Sequence, residues 1–157
     1  MATLKPILLV EDNPKDLELT LAALERSQLA NEIVTARDGV EALDWLFYRN
    51  GHEARDNGDP AVVLLDLKMP RIDGLQVLEK IKSEATTRHL PVVMLTASRE
   101  EADLIKSYQL GVNAFVVKPV GFHDFFKAIQ DVGVFWAILN EPHPSRPRDE
   151  PIKVTQA

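Results

Sequence analysis

A doubly wound α/β fold on one five-stranded parallel sheet is the fold class this sequence predicts, and three observations carry it. Five short apolar runs alternate with helical patterns along the chain. Four of the five are continuous rather than alternating, as expected for strands covered by helices on both faces. At 157 residues the chain has room for a single domain.

The elements follow in order. Ile7-Leu8-Leu9-Val10 is the first strand. Asn13-Pro14 then supplies an N-cap with proline at the first helical position, and Leu17, Leu21 and Leu24 form an apolar stripe. The second strand, Ile33-Val34, is short and flanked by charge, which marks a sheet edge. Asp38 with Glu41 predicts a capping box ahead of Ala42, Leu43 and Leu46. Residues 49–60 are polar, contain Gly51 and Gly58, and read as a surface-loop insertion. Val62-Val63-Leu64-Leu65 is the third strand, and Asp73-Gly74 opens a helix carrying Val77, Leu78 and Ile81. The fourth strand, Val92-Val93-Met94-Leu95, leads to a helix capped by Ser98 with Glu101; Gly111 lies just past its end. Ala114-Phe115-Val116-Val117 is the fifth strand, and a last helix runs from about Gly121 to Asn140. Four prolines from Pro142 to Pro151 make the remainder an extended tail. The expected division is a folded domain over 1–140 and a Pro-rich tail over 141–157. The βαβαβαβαβα order implies right-handed crossovers.

Composition removes several classes of function. There is no cysteine, which excludes disulfides, thiolate metal sites and cysteine nucleophiles. With 24 acidic against 18 basic residues and a net charge of −6, no broad basic face is available for nucleic acid. No apolar run reaches membrane-spanning length, and the polar N-terminus is no signal peptide. A cytoplasmic protein is expected. The four histidines, His52, His89, His123 and His143, are scattered and read as surface.

In a sheet of this kind the functional crevice lies at the carboxyl ends of the strands. Glu11 and Asp12 directly follow the first strand, Asp66 the third, Thr96 the fourth and Lys118 the fifth. Three carboxylates, a hydroxyl and an ammonium therefore converge. Carboxylates held this close repel one another, and a bound cation relieves the repulsion. Oxygen ligands without sulfur or histidine favour a hard ion such as Mg²⁺. A strand-tip Asp66 can attack phosphorus and become an acyl phosphate. Lys118 and Mg²⁺ would neutralise the phosphoryl charge, and Thr96 would hydrogen-bond one of its oxygens.

Val10-Glu11-Asp12-Asn13, Leu65-Asp66-Leu67-Lys68-Met69-Pro70 with Asp73-Gly74, Leu95-Thr96-Ala97 and Val117-Lys118-Pro119 resemble the receiver domain of two-component response regulators. The likeness runs from Lys5 to about Asn140 and implies a flavodoxin-like (βα)5 fold. The stretch from Asp12 to Asp66 is longer than usual for that family, which the 49–60 insertion explains. The resemblance makes Asp66 the phosphoacceptor and Asp12 a direct Mg²⁺ ligand. Glu11 then acts mainly through water, and the backbone carbonyl of Lys68 is a further ligand. It makes Thr96 the switch hydroxyl, Lys118 the phosphate-sensing lysine, and Phe115 the switch aromatic, here without a tyrosine hydroxyl. Phe115 also reads as plain sheet core, and the Lys68 side chain either overhangs the pocket or is simply solvated.

A narrower resemblance is carried by the long loop, by Ser107-Tyr108-Gln109-Leu110-Gly111-Val112-Asn113-Ala114 and by Phe135-Trp136-Ala137-Ile138-Leu139-Asn140-Glu141-Pro142. These are similar to the single-domain response regulators that partner cyanobacterial and bacterial phytochromes, often homodimers through the fourth and fifth helices. The last helix has a core stripe of Phe125, Phe126, Ile129, Val132 and Trp136. Phe122, Val134, Phe135, Ile138 and Leu139 are left over, to be covered by the tail or by a second copy. Phe135 and Ile138 are the expected dimer residues.

The function expected is a phosphorylation-driven binding switch that accepts a phosphoryl group from a sensor histidine kinase. It is not a turnover enzyme, and no DNA-binding output domain is expected. Two alternatives stand beside it: a phosphorylation-independent adaptor, and a haloacid-dehalogenase-type phosphohydrolase. The second normally needs an acid two residues after the nucleophile, where this chain has Lys68.

Overall fold

Alternate residues of the central strands face opposite sides of the sheet, and both sides are buried. Leu8, Val10, Val63, Leu65 and Met94 pack into one apolar cluster, and Ile7, Leu9, Val62, Leu64 and Val93 into another. This is what continuous apolar runs require, since neither face meets water. The computed structural model describes residues 4–26, 29–96, 101–117, 127–128 and 130–131.

The elements are β1 (Ile7–Val10), α1 (Pro14–Arg26), β2 (Ile33–Ala36), α2 (Gly39–Leu46), β3 (Val62–Leu65), α3 (Gly74–Ser83), β4 (Val92–Thr96), α4 (Glu101–Gln109) and β5 (Ala114–Val117). The sheet order is β2-β1-β3-β4-β5, and every pairing is parallel. Ala23 and Leu24 of α1 bury themselves in the second cluster. Ala42, Leu43 and Leu46 of α2 and Val77, Leu78 and Ile81 of α3 bury themselves in the first. The covering helices thus change face between β1 and β3, which puts a topological switch point at the tips of those two strands.

Local chemistry explains the element ends. Asn13 Oδ1 accepts from the Lys15 and Asp16 amides at 2.9 and 3.1 Å, so α1 starts at Pro14 as its cap demands. Gly111 follows α4 with φ +96°, a conformation that favours glycine. β2 is the edge strand, as expected, but extends two residues further, to Ala36, because its ladder with β1 continues through Thr35 and Ala36. The backbone ladder likewise carries β4 on to Thr96. The α2 capping box is only half formed. The Asp38 carboxylate accepts from Glu41 N at 2.8 Å, but the Glu41 carboxylate accepts from Arg37 N rather than from the cap residue. Ser98, Lys118, the expected dimer residues Phe135 and Ile138, and the tail lie outside the described residues. So does all of the expected last helix except 127–128 and 130–131.

The 49–60 segment is more than a polar surface loop. The Arg55 guanidinium lies 3.6 Å from the Trp45 ring centroid and 3.8 Å from that of Tyr48. Its Nε donates to the Trp45 carbonyl at 2.7 Å, and its Nη1 donates to Asn57 Oδ1 at 2.9 Å and to the Gly58 carbonyl at 2.7 Å. One side chain therefore pins the loop back onto the end of α2. Asp59 is buried, and His89 Nε2 lies 3.5 Å from its Oδ2. That corrects the reading of His89 as a surface histidine: its side chain is only 15 % exposed, because this loop covers it. The loop joins the end of α2 to the start of β3, so it hangs from the amino edge of the sheet, away from Asp66.

Candidate functional site

Register brings the first two acidic positions together. Val10 and Leu65 are direct partners across the β1–β3 ladder, so the residues that follow them, Glu11 and Asp66, emerge side by side. Asp66 N donates to the Val10 carbonyl at 3.0 Å, and Glu11 N donates to the Ala36 carbonyl at 3.0 Å. Three strand tips are thereby tied together. Glu11 and Asp66 are buried, and one carboxylate oxygen from each of Glu11, Asp12 and Asp66 lies within 4.8 Å of the other two. Glu11 Oε1 also accepts from Asn13 N at 3.1 Å, which fixes the trio against the start of α1. The positive end of that helix dipole favours negative charge there.

An all-oxygen donor set at this spacing fits a hard divalent cation. A cleft of about 420 Å³ opens beside the trio. It is lined by Glu11 and Asp12, by Pro14, Leu17 and Leu21 along α1, and by Arg37 at the tip of β2.

The loop after Asp66 is held by contacts that sequence reading missed. Gly74, the first residue of α3, donates its N–H to the Leu67 carbonyl at 2.7 Å. A Cβ at this position would stand 2.3 Å from the Asp66 carbonyl oxygen and 2.8 Å from Leu67 Cα. Only glycine lets the helix begin this close to the Asp66 backbone. Asp73 and Gln76 complete a full capping box, with Asp73 Oδ1 accepting from Gln76 N at 2.9 Å and Gln76 Oε1 accepting from Asp73 N at 3.0 Å. The signal was present in Asp73-Gly74-Leu75-Gln76, a cap with glutamine three residues on. Within the same loop Arg71 adopts a left-handed φ of +66°, and its guanidinium pairs with the Asp38 carboxylate. The Glu41 N–H bonded to the Asp38 carboxylate, together with Arg71, holds that carboxyl below the usual range, against the opposing effect of burial.

The remaining expected residues are placed as follows. The Lys68 side chain is 64 % exposed, and its Nζ lies 3.5 Å from Asp103 Oδ2 on α4. β4 and β5 end together, with Thr96 opposite Val117, at the same sheet edge as Asp66. The Thr96 side chain lies outside the described residues, as does Lys118. Phe115 is partly buried and packs against the cluster that α2 and α3 cover. Among the described residues no helix is long and apolar enough to cross a membrane.

Residues 7–130 match the response regulator receiver domain. The chain belongs to the response regulator receiver family. Two curated relatives are each 39 % identical to this receiver. One is the response regulator Rcp1 of Synechocystis sp., over 132 residues covering 84 % of this chain and 88 % of its own. The other is the probable methanogenesis regulatory protein FilR2 of Methanothrix harundinacea, over 140 residues covering 88 % of each. Among solved structures, the bacteriophytochrome response regulator AtBRR is 68 % identical with a TM-score of 0.72, covering 89 % of this chain and all of its own. The phosphorylated cyanobacterial phytochrome response regulator RcpA is 37 % identical with a TM-score of 0.83, covering 90 % of this chain and 99 % of its own. Rcp1 has been solved in a Mn²⁺-bound form, 37 % identical with a TM-score of 0.82, covering 88 % of this chain and 99 % of its own. The receiver family is one of signalling proteins, and Glu11, Asp12 and Asp66 at the β1 and β3 tips form an acidic cluster that could hold a divalent cation.

Proposed function

We propose that this receiver accepts a phosphoryl group on Asp66 from a phosphohistidine of a sensor kinase, and that the kinase is of the phytochrome type. One observation carries the first half: the buried Asp66 carboxylate stands within 4.8 Å of those of Glu11 and Asp12 at the β1–β3 switch point. The 68 % identity to AtBRR supports the second half, since FilR2 shows that 39 % identity alone is compatible with another pathway.

In this reading an Asp66 oxygen attacks the phosphorus, the phosphorus–nitrogen bond to histidine breaks, and an acyl phosphate forms. Asp12 and Asp66 would hold Mg²⁺ directly, Glu11 would act through water, and the Lys68 carbonyl would complete the protein ligands. When bound, the ion supplies positive charge to the transferring phosphoryl oxygens. Lys118 pairs with one phosphoryl oxygen and the Thr96 hydroxyl donates to another. Phe115 then follows Thr96 as the aromatic side of the switch, without a hydroxyl to hydrogen-bond. The output is a changed protein contact in a cytoplasmic setting rather than turnover. The domain spans 1–140, with 141–157 as its tail.

We infer the same chain to be a homodimer through α4 and the helix after β5. Leu104 and Tyr108, one turn apart on α4, are 38 % and 53 % exposed. In the sequence, Phe135 and Ile138 fall outside the core stripe expected of the last helix, and a two-fold contact would bury that surplus together with Leu104 and Tyr108.

Acetyl phosphate with Mg²⁺ and intact-mass measurement test the acceptor. Wild type gains roughly 80 Da for one phosphoryl group, and Asp66→Asn gains none. Labelling of Asp66→Asn at the wild-type rate refutes the assignment, and an unlabelled wild type favours the adaptor reading. Phosphotransfer profiling against the host's sensor kinases, with a phytochrome-type kinase fastest, tests the partner.

A further inference from the structure

We propose that the Lys68–Asp103 ion pair is a latch between the acceptor loop and α4, and that phosphorylation of Asp66 opens it. The proposal rests on Asp66 being the phosphoacceptor. Lys68 is two residues beyond Asp66, a backbone span of at most roughly 7 Å. Its Nζ reaches 3.5 Å from Asp103 Oδ2 in the first turn of α4. No hydrogen-bonded strand ladder joins these two segments. β3 meets β4 through Val63, Leu64 and Leu65, and the Lys68 loop lies beyond that ladder. The pair therefore crosses from the element that would carry the phosphoryl group to a helix that carries the exposed Leu104 and Tyr108.

Charge decides which partner Lys68 keeps. An unmodified Asp66 carries one negative charge, while a phosphorylated side chain carries nearly two and offers three strong acceptor oxygens. Transfer thus adds about one negative charge on the Lys68 side of the pair, which Lys68 would share with Lys118 and the cation, and none on the Asp103 side. The Lys68 side chain is 64 % exposed and not packed into place, so its flexible stem is free to swing. The ammonium moves from Asp103 to the phosphoryl oxygens, and the first turn of α4 loses a restraint. Lys68 is a positioning residue here, acting on α4 through Asp103. The Lys68 end of the pair is solvent-exposed while the Asp103 side chain is only 14 % exposed, so opening changes local equilibria by roughly two- to fivefold and weakens with added salt.

The test is amide hydrogen exchange over 101–109 in the full chain, for wild type, Lys68→Gln, Asp103→Asn and the double variant. Each is measured before and after acetyl phosphate with Mg²⁺, with intact mass read on the same samples. In wild type, phosphorylation raises exchange in α4 by roughly two- to fivefold. Either single variant shows that rise without phosphorylation, gains little more with it, and matches the double variant. Lys68→Arg restores the wild-type pattern. Unphosphorylated singles that exchange like wild type, or that keep the full phosphorylation-driven rise, overturn the latch. A wild type without the phosphoryl mass overturns the acceptor reading and the release step with it. The unphosphorylated comparison then still decides whether the pair restrains α4.

Discussion

Replacing Gly74 with alanine sets two physical effects against each other. Helix propensity alone favours alanine at a helical position by at most ~1 kcal/mol. The Asp66 backbone opposes it: the new Cβ would stand 2.3 Å from the Asp66 carbonyl oxygen, about 1 Å short of the 3.4 Å where ordinary contact begins. Neither neighbour yields easily, because the atoms met are backbone and Asp66 is bonded to Val10 on the adjacent strand. Overpacking of this kind costs about 1–3 kcal/mol, and straining the Gly74–Leu67 hydrogen bond adds about 1 kcal/mol. The net loss is about 2 kcal/mol, a fall in Tm of roughly 6 °C for a domain of this size. Displacing the acceptor by about 1 Å slows phosphorylation by up to ~100-fold. Gly58→Ala is the control: its Cβ meets nothing within 4 Å, but its φ is +75°. That strain costs about 1–2 kcal/mol and leaves labelling alone, because the site is at the other edge of the sheet. Thermal melts and acetyl-phosphate labelling of both variants separate the cases. A Gly74→Ala protein that melts at or above the wild-type temperature and labels at the wild-type rate would refute the close-approach argument.

Further outcomes are expected. Asp12→Ala stays folded but labels at least roughly tenfold more slowly, and Glu11→Gln needs roughly 10- to 100-fold more Mg²⁺; metal titration of the labelling rate checks both. Arg55→Ala loses two ring contacts and its hydrogen bonds to Trp45, Asn57 and Gly58, lowering stability by about 2–4 kcal/mol in urea while labelling is unchanged. Asp38 has a lowered folded-state pKa, so its stabilisation is present above the unfolded value of about 3.9 and lost as pH falls through the folded one. Asp38→Asn keeps a cap but loses the charge, and its deficit against wild type in melts at neutral pH closes below about pH 4. Light scattering should find wild type near twice 17.6 kDa and Phe135→Asp near one copy; a monomeric wild type at tens of micromolar refutes the dimer.

What could be read from the sequence was local or set by one-dimensional pattern. Ile7–Val10 and Val62–Leu65 match their apolar runs because burial on both faces makes the run and the strand coincide; Ala114–Val117 also matches its run, although Ala114, Phe115 and Val116 at this sheet edge are only partly buried. Ile33–Ala36 outlasts its apolar pair because an edge strand's hydrogen bonds need no apolar side chain at Thr35. The meeting of Glu11, Asp12 and Asp66 was legible because strand-tip position follows from topology. The contacts that did not show are those in which distant segments share one atom's surroundings. Arg55 is an ordinary loop arginine until Trp45 and Tyr48 flank it, and His89 is a surface histidine until Asp59 covers it. Lys68 and Asp103 are 35 positions apart, and no spacing rule pairs charges across that distance.

The arginine-pinned loop also makes the molecule easy to instrument. Its tip carries the exposed Glu53 and Ala54, and the natural chain contains no thiol. A single cysteine at Ala54 would therefore be the one address for maleimide chemistry in the whole protein. A dye attached there rides on a segment fastened to α2 rather than on a loose tether, so its anisotropy reports tumbling of the body. It also sits at the sheet edge remote from Asp66, so the label leaves the chemistry undisturbed. Monomer–dimer exchange and kinase docking could then be followed by fluorescence in the same sample in which phosphorylation is counted by mass.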